Sequence, residues 1–360
     1  VDDDVTTPKA DALAARLRAI RPDVKVEIDR GNLLWAALEL EDPSKGADVV
    51  IDTTGSVALA EKLEARWPLE GSSRAVYISM VVGPAAERGF AVVVPTEHTG
   101  GTADAIRRAK LEACTHARLA PYVEEFWPSR GTTRLFQPEP GCSEPTFVGS
   151  AADMAQMAGA LLNRVATALS ETARTASAHF LTRADICGAG PAAVSIPLPP
   201  DLIVAIPEGY RVRIARPAWK EIEATMSQSR RRRGRKVETG GLLFGERNAA
   251  ARVLWVSEAS GPPSDSKASA TGFECGVAGV ADLNKEKRHR TRGSVAHVGM
   301  WHTHPDSAPR PSDTDLAGMC QIVKAVDPPT PESLLLILGG DLLTRPEIGL
   351  SYFSRRELHG

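Results

Sequence analysis

His302 and His304 are separated by one residue, follow the apolar run Val298-Gly-Met-Trp301, and are continued by seven residues, Ser312, two residues and Asp315. In a strand, alternate residues share a face, so both imidazoles point the same way. Pro311-Ser312-Asp-Thr-Asp315 reads as a helix start, a capping hydroxyl followed by a first-turn acid. A fold that uses the whole pattern must dock a helix start on the histidine face of a strand. It must also bring up Glu238, which lies about sixty residues upstream at the mouth of a strand-like run, Gly240-Gly-Leu-Leu-Phe-Gly245.

These residue types fit metal hydrolysis. Two His and one Asp leave the fourth tetrahedral position of a zinc ion for water, the arrangement of a catalytic site. Zinc lowers the pKa of water to roughly 7. Glu238 then suits a general base that passes the proton to a leaving amine. The Ser312 hydroxyl suits a donor to the developing oxyanion. Taken singly, Ser312 and Asp315 are an ordinary helix cap, and two histidines on a strand occur without a metal. The order and spacing of the whole set favour the metal.

The remaining composition excludes several classes. A chain of 360 residues has room for two domains. A formal charge of −2 indicates neither a general nucleic-acid binder nor a charged tail. No apolar run reaches the roughly 18–20 residues that span a bilayer. Val1-Asp-Asp-Asp4 shows neither the basic nor the apolar segment of a signal peptide. The five cysteines, Cys114, Cys142, Cys187, Cys275 and Cys320, form no CxxC pair, which argues against a disulfide framework and a cysteine zinc knuckle. A reducing, cytoplasmic location is expected.

Along the chain, strands and helices alternate, which argues for an α/β fold. Thr7-Pro8 is expected to cap and open a helix with Leu13, Leu17 and Ile20 on one face. Lys25–Ile28 alternates like a strand. Asp48-Val-Val-Ile-Asp52 suits a buried parallel strand. A helix near 57–66, strands at 75–80 and 90–94, a helix from about Ala103 and a long amphipathic helix with Met154, Met157, Leu161 and Val165 follow. Residues 186–209, rich in Pro, Gly and Ala, read as a linker between domains at 1–185 and 210–360. Beyond it, strands are expected near 212–215, 239–245, 252–258, 295–301, 334–338 and 348–353, with helices from Pro217 and Ser312.

Glu238-Thr-Gly-Gly241-Leu-Leu-Phe-Gly245, Val298-Gly-Met-Trp-His302-Thr-His304-Pro and Ser312-x-x-Asp315 resemble the JAMM (MPN+) metalloproteases over roughly residues 210–355. The resemblance implies a cytidine-deaminase-like mixed α/β domain that cleaves after the C-terminal Gly of a ubiquitin-like protein. It assigns His302, His304 and Asp315 to zinc, Glu238 to the base and Ser312 to the oxyanion.

Pro8-Lys9 with the helix after it, Val24-Lys-Val26 and Ala47-Asp-Val-Val-Ile-Asp52-Thr-Thr54 resemble the middle of a ThiF/MoeB-type adenylation domain, over roughly 1–180. That family activates the terminal Gly of ubiquitin-like or sulfur-carrier proteins with ATP and Mg2+. The resemblance implies a partial Rossmann-like fold, Lys9 and Asp52 as nucleotide and cofactor contacts, and Cys142 as a thioester-forming nucleophile. It also implies a homodimer through this half and a conjugating-enzyme-like partner. Three departures stand out. The Gly-rich nucleotide loop is missing, Gly55 stands where the family has a metal-binding Asp, and the paired CxxC motifs are absent. With no initiator Met, a piece of a longer protein is expected, and this half is not expected to adenylate by itself.

Together the resemblances imply an isopeptidase of a bacterial ubiquitin-like pathway, the kind often tied to phage defence. Two alternatives remain open at this level: an activating enzyme whose main chemistry is adenylation and Cys142 thioester formation, and a non-catalytic scaffold for ubiquitin-like tails. Two basic stretches, Arg230–Lys236 and Lys285–Arg292, read as solvated loops, or as flanks of the cleft that engage an acidic protein partner.

Overall fold

Pro8 sets where the first helix begins. It occupies the cap position of α1 (Lys9–Ile20), without the side-chain cap expected from Thr7. A computed structural model describes residues 7–31, 47–67, 75–128, 149–170, 175–186, 193–205, 210–234, 236–324 and 332–355. The chain divides into two units, Val1–Pro43 and Ser44–Gly360. In the first, Ala14 of α1 is buried and Leu13, Leu17 and Ile20 are exposed. Arg30 closes on Asp11 through two bonds of 2.5 and 2.9 Å. Lys25–Ile28 is not a strand; it has no sheet partner among the described residues.

The second unit holds two larger sheets. In the first sheet β1 (Val49–Asp52) runs into α2 (Val57–Ala65) and pairs in parallel with β2 (Val76–Val82). Residues 83–87 then lead to β3 (Arg88–Val94). A link this short cannot hold the crossover that parallel strands need, so β2 and β3 pair antiparallel. After α3 (Thr102–Thr115), α4 (Ala120–Phe126) and the long α5 (Ala151–Ser170), β4 (Ala176–Thr182) and β5 (Val194–Leu198) extend the sheet antiparallel, with the short α6 (Arg183–Ile186) between them. The strand order is thus β1-β2-β3-β4-β5, an open sheet with one parallel pair. Alternation sorts the core. Tyr77, Phe90, Val92 and Val94 face α3 and α4, while Ile78, Ala91 and Val93 face Met157, Leu161 and Val165 of α5. Among the described residues β1 is an edge strand, with Val49 and Ile51 exposed, so the buried strand expected there is not observed.

The stretch read as a linker carries two strands. β5 closes the first sheet, and β6 (Leu202–Ala205) opens the second, ahead of Tyr210. β6 pairs with β7 (Arg211–Ile214), and α7 (Arg216–Arg233) follows with Pro217 in its first turn. The second sheet continues through β8 (Gly240–Asn248) and β9 (Val253–Ala259). A small hairpin, β10 (Lys267–Ala268) and β11 (Phe273–Glu274), and helix α8 (Val280–Arg290) intervene before β12 (Ala296–Pro305). Helix α9 (Asp313–Lys324) and strands β13 (Glu332–Gly340) and β14 (Glu347–Ser354) complete the order β14-β13-β12-β8-β9-β7-β6. One face packs Leu243, Val256, Trp301 and Leu336 against Ile222 and Met226 of α7. The other packs Leu242 and Phe244 near α8 and Leu335 and Ile337 against Met319 of α9. The basic stretches read as loops are largely the C-terminal turns of α7 and α8, where cations oppose the helix dipole.

The two sheets meet through a buried polar cluster. Arg213 of β7, fully buried, reaches the Glu64 carboxylate of α2 at 2.6 Å and Asp104 of α3 at 3.8 Å. Glu64 in turn accepts from the backbone N–H groups of Gly101 and Asp104, capping α3. No helix among the described residues is long and apolar enough to cross a membrane.

Candidate metal centre

β12 carries Trp301 and Thr303 on the α7 face, so His302 and His304 fall on the opposite face with Met300. α9 packs on that face and starts at Ser312. Its first turn therefore delivers Asp315 to the histidines, with Asp315 Oδ1 at 3.4 Å from His302 Nε2 and Oδ2 at 3.6 Å from His304 Nε2. The two Nε2 atoms are 3.0 Å apart.

Glu238 arrives by sheet pairing. β8 pairs antiparallel with β12, Gly240 opposite His302. The pairing extends one step before the strand: Thr303 N–H donates to Thr239 O at 2.8 Å, and Thr239 N–H to Thr303 Oγ1 at 3.0 Å. That leaves Glu238 beside the imidazoles, its own N–H donating to Ser269 O at 2.8 Å. The glycines after it are required by close approach. A Cβ on Gly240 would lie 2.4 Å from Trp301 O, and one on Gly241 2.0 Å from Ser260 O.

Among the described residues, Glu238, His302 and His304 bring donor atoms within 4.8 Å of one another. The two imidazoles and Asp315 fit zinc: bonds of about 2.05 Å at tetrahedral angles separate ligands by about 3.3 Å, close to the 3.0, 3.4 and 3.6 Å between these donor atoms. Glu238 and His302 are buried, at 7 and 4% exposure. Burial pushes the Glu238 carboxyl upward, with Asp315 adding to the shift and His304 opposing it. Burial acts the same way on Asp315, but hydrogen bonds from His302 and Ser312 outweigh it and hold that carboxyl well below the usual range.

Ser312 caps α9. Its N–H and hydroxyl both donate to Asp315 Oδ2, at 2.8 and 2.7 Å, and Asp315 N–H donates back to Ser312 Oγ at 3.2 Å. The hydroxyl is thus turned onto the carboxylate, and an oxyanion role would require it to rotate away.

Phe273 of the β10–β11 hairpin lies over His302, ring centroids 6.4 Å apart, and was not anticipated. Its contact depends on a hairpin that folds back across the strand ends, and no local pattern marks it.

Lys9 opens α1 in the separate N-terminal unit and is exposed. Asp52, at the end of β1, accepts from the N–H and hydroxyl of Thr54 at 2.8 and 2.7 Å. Cys142 lies outside the described residues, as does Cys187. Cys114, Cys275 and Cys320 are free thiols, and burial pushes Cys275 up to about 11.

Residues 220–348, which hold all five residues of the centre, match the family model of prokaryotic homologs of the JAB domain. A protein named CD-NTase/cGAS isopeptidase from Enterobacter hormaechei subsp. hoffmannii (strain UCI 50) is 36% identical over 104 residues, 29% of this chain and 56% of that protein. The chain thus spans about half the length of this curated relative. A second protein of that name, from Escherichia coli (strain TW11681), is 28% identical over 120 residues, 33% of this chain and 72% of the relative. The solution structure of protein DSY2949 from Desulfitobacterium hafniense aligns with 38% of this chain and 88% of its own, at 20% identity and a TM-score of 0.26, too low to carry an argument.

Proposed function

We propose that this chain is a zinc isopeptidase that cleaves after the C-terminal Gly of a ubiquitin-like protein, either trimming a precursor or removing the modifier from a target. The observation that carries the reading is the approach of Glu238, His302, His304 and Asp315 from three separate elements to one point, inside a segment that matches the JAB family. The relatives named isopeptidases support the bond class. The resemblance of roughly residues 1–180 to an adenylation domain supports a Gly-terminated protein tail as substrate, in a bacterial conjugation pathway with a phage-defence setting.

His302, His304 and Asp315 would hold the ion. When bound, zinc polarises a carbonyl and acidifies water. Glu238 takes the proton of the attacking water and returns it to the leaving amine; its burial raises its proton affinity toward that task. The ring of Phe273 stacks beside His302 and would help hold that imidazole in place. Ser312 positions Asp315 through three hydrogen bonds.

The test is cleavage of a ubiquitin-like protein bearing a C-terminal extension, read by intact mass. Glu238→Gln should lower the rate about 10²–10⁴-fold while the protein keeps its zinc. Full activity in that variant, or purified protein without bound zinc, would refute the reading.

A further inference from the structure

A cleft of about 960 Å³ lies between the helices of the two sheets. One wall is α3 and α4, with Lys110, Cys114 and Val123; the other is the last turn of α8 and the turn after it, with Arg288, Arg290 and Arg292. It is remote from the metal centre. Ser294, in its wall, lies two residues before the first residue of the strand that carries His302 and His304. His302 is six steps along β12 from Ala296, about 20 Å at the usual rise of a strand.

The lining is cationic. Lys110, Arg288, Arg290 and Arg292 outnumber the lining acids Glu124 and Glu246, and Arg290 is itself held by Glu258 at 2.6 Å. Several of these groups bridge the walls: Lys110 Nζ donates to Ser294 Oγ at 2.6 Å, and Arg292 pairs with Glu124. Arg292 and Gly293 both hold positive φ, 52° and 82°, which ends α8 and turns the chain into the wall. Burial lowers the proton affinity of Lys110 and raises that of Glu246, so both charges stand poorly solvated at the edge of the cleft. The cations at the end of α8 also oppose its dipole, but that role needs neither a second wall nor a cavity. The volume matches a small-molecule site. Guanidinium forks suit phosphate oxygens, and Ala113, Ala117 and Val123 supply an apolar floor for an organic body.

We propose that this cleft binds a phosphorylated small molecule, gripped by Arg288, Arg292 and Lys110 from both walls, at a site separate from the metal centre. Bound there, the ligand ties the helices of the first sheet to the sheet that carries the metal ligands.

The test is calorimetric titration of the full chain at low ionic strength with inorganic pyrophosphate, fructose 1,6-bisphosphate and a hexaglutamate peptide. Saturable binding of either phosphate is expected. It should weaken at least tenfold in Arg288→Glu and in Lys110→Gln, and remain unchanged in Arg231→Glu, an exposed site outside the cleft, and in Glu238→Gln. Arg288 is exposed, so its substitution leaves the fold intact. No saturable binding of either phosphate, equal weakening in Arg231→Glu, or binding of hexaglutamate alone would overturn the proposal. The readout does not depend on peptidase activity, so its failure and that of the isopeptidase reading are distinguishable.

Discussion

Replacing Arg213 by Leu removes the central cation of the cluster between the two sheets. Arg213 is fully buried, and its Nη2 atom sits 2.6 Å from Glu64 Oε1, itself without solvent contact. Burial would push the Asp104 carboxyl up, but Arg213, Arg108 and Arg107 together hold it below its ordinary value. Removing one partner of a buried pair typically costs about 3–5 kcal/mol, because the charge left behind has neither water nor counter-ion. Here two compensations pull the cost down. Glu64 keeps the N–H groups of Gly101 and Asp104, and Asp104 keeps Arg107 at 3.4 Å and Arg108 at 3.7 Å. The expected loss is therefore near the low end, about 3 kcal/mol. At a urea m-value of about 3 kcal/mol per molar, the midpoint falls by about 1 M. Urea melts of Arg213→Leu against wild type measure it. Glu64→Gln should be milder, since an amide oxygen still caps α3. A loss under about 1 kcal/mol for Arg213→Leu would refute the view that this ion cluster is fully desolvated.

Three further outcomes are expected. Gly241→Ala should destabilise by about 3 kcal/mol in the same melts, because the new Cβ meets the Ser260 carbonyl that accepts the Trp301 indole N–H at 3.0 Å. His179, held neutral between Ser177 and Ser195, has its pKa lowered to about 4 by burial and by Arg164. The unfolded state takes up that proton first, so the stability from this site is complete above about 6.5 and lost as pH falls toward about 4, on the order of 3 kcal/mol. Melts across that window should show a shallower pH slope in His179→Gln. Chelation should lower the melting temperature of wild type and leave that of His304→Ala unchanged, by calorimetry with zinc measured by atomic absorption.

The grouping of His302, His304 and Asp315 was legible because each part of it is local. Alternation on one strand places His302 and His304, and a helix start places Asp315. The Thr239–Thr303 pairing that seats Glu238 involves residues 64 positions apart, and only the Gly-Gly after Glu238 hinted at close approach. Glu64, Asp104 and Arg213 gave no sign at all, since nothing local ties an acid in one helix to an arginine more than a hundred residues later. Val49-Val-Ile51 misled for a physical reason: apolar runs mark burial only where both faces are covered, and β1, an edge strand among the described residues, leaves Val49 and Ile51 exposed. The antiparallel course of the first sheet was readable in principle, because residues 83–87 are too few for a crossover. The prolines at 197, 199 and 200 hid the strands on either side of them.

Those prolines sit in a splice. β5 ends at Leu198 and β6 begins at Leu202, so three residues carry the chain from one sheet to the other. Arg108 from the first half donates to Pro199 O, Arg216 from the second donates to Pro200 O at 3.2 Å, and Asp201 N–H donates to Thr99 Oγ1 at 3.1 Å. A protease that needs slack backbone finds none at 199–201. A cut there would leave β5 with the first sheet and β6 with the second, but separating the halves would strip Arg213 of Glu64 and Asp104, so what closes this seam is buried charge and not strand pairing.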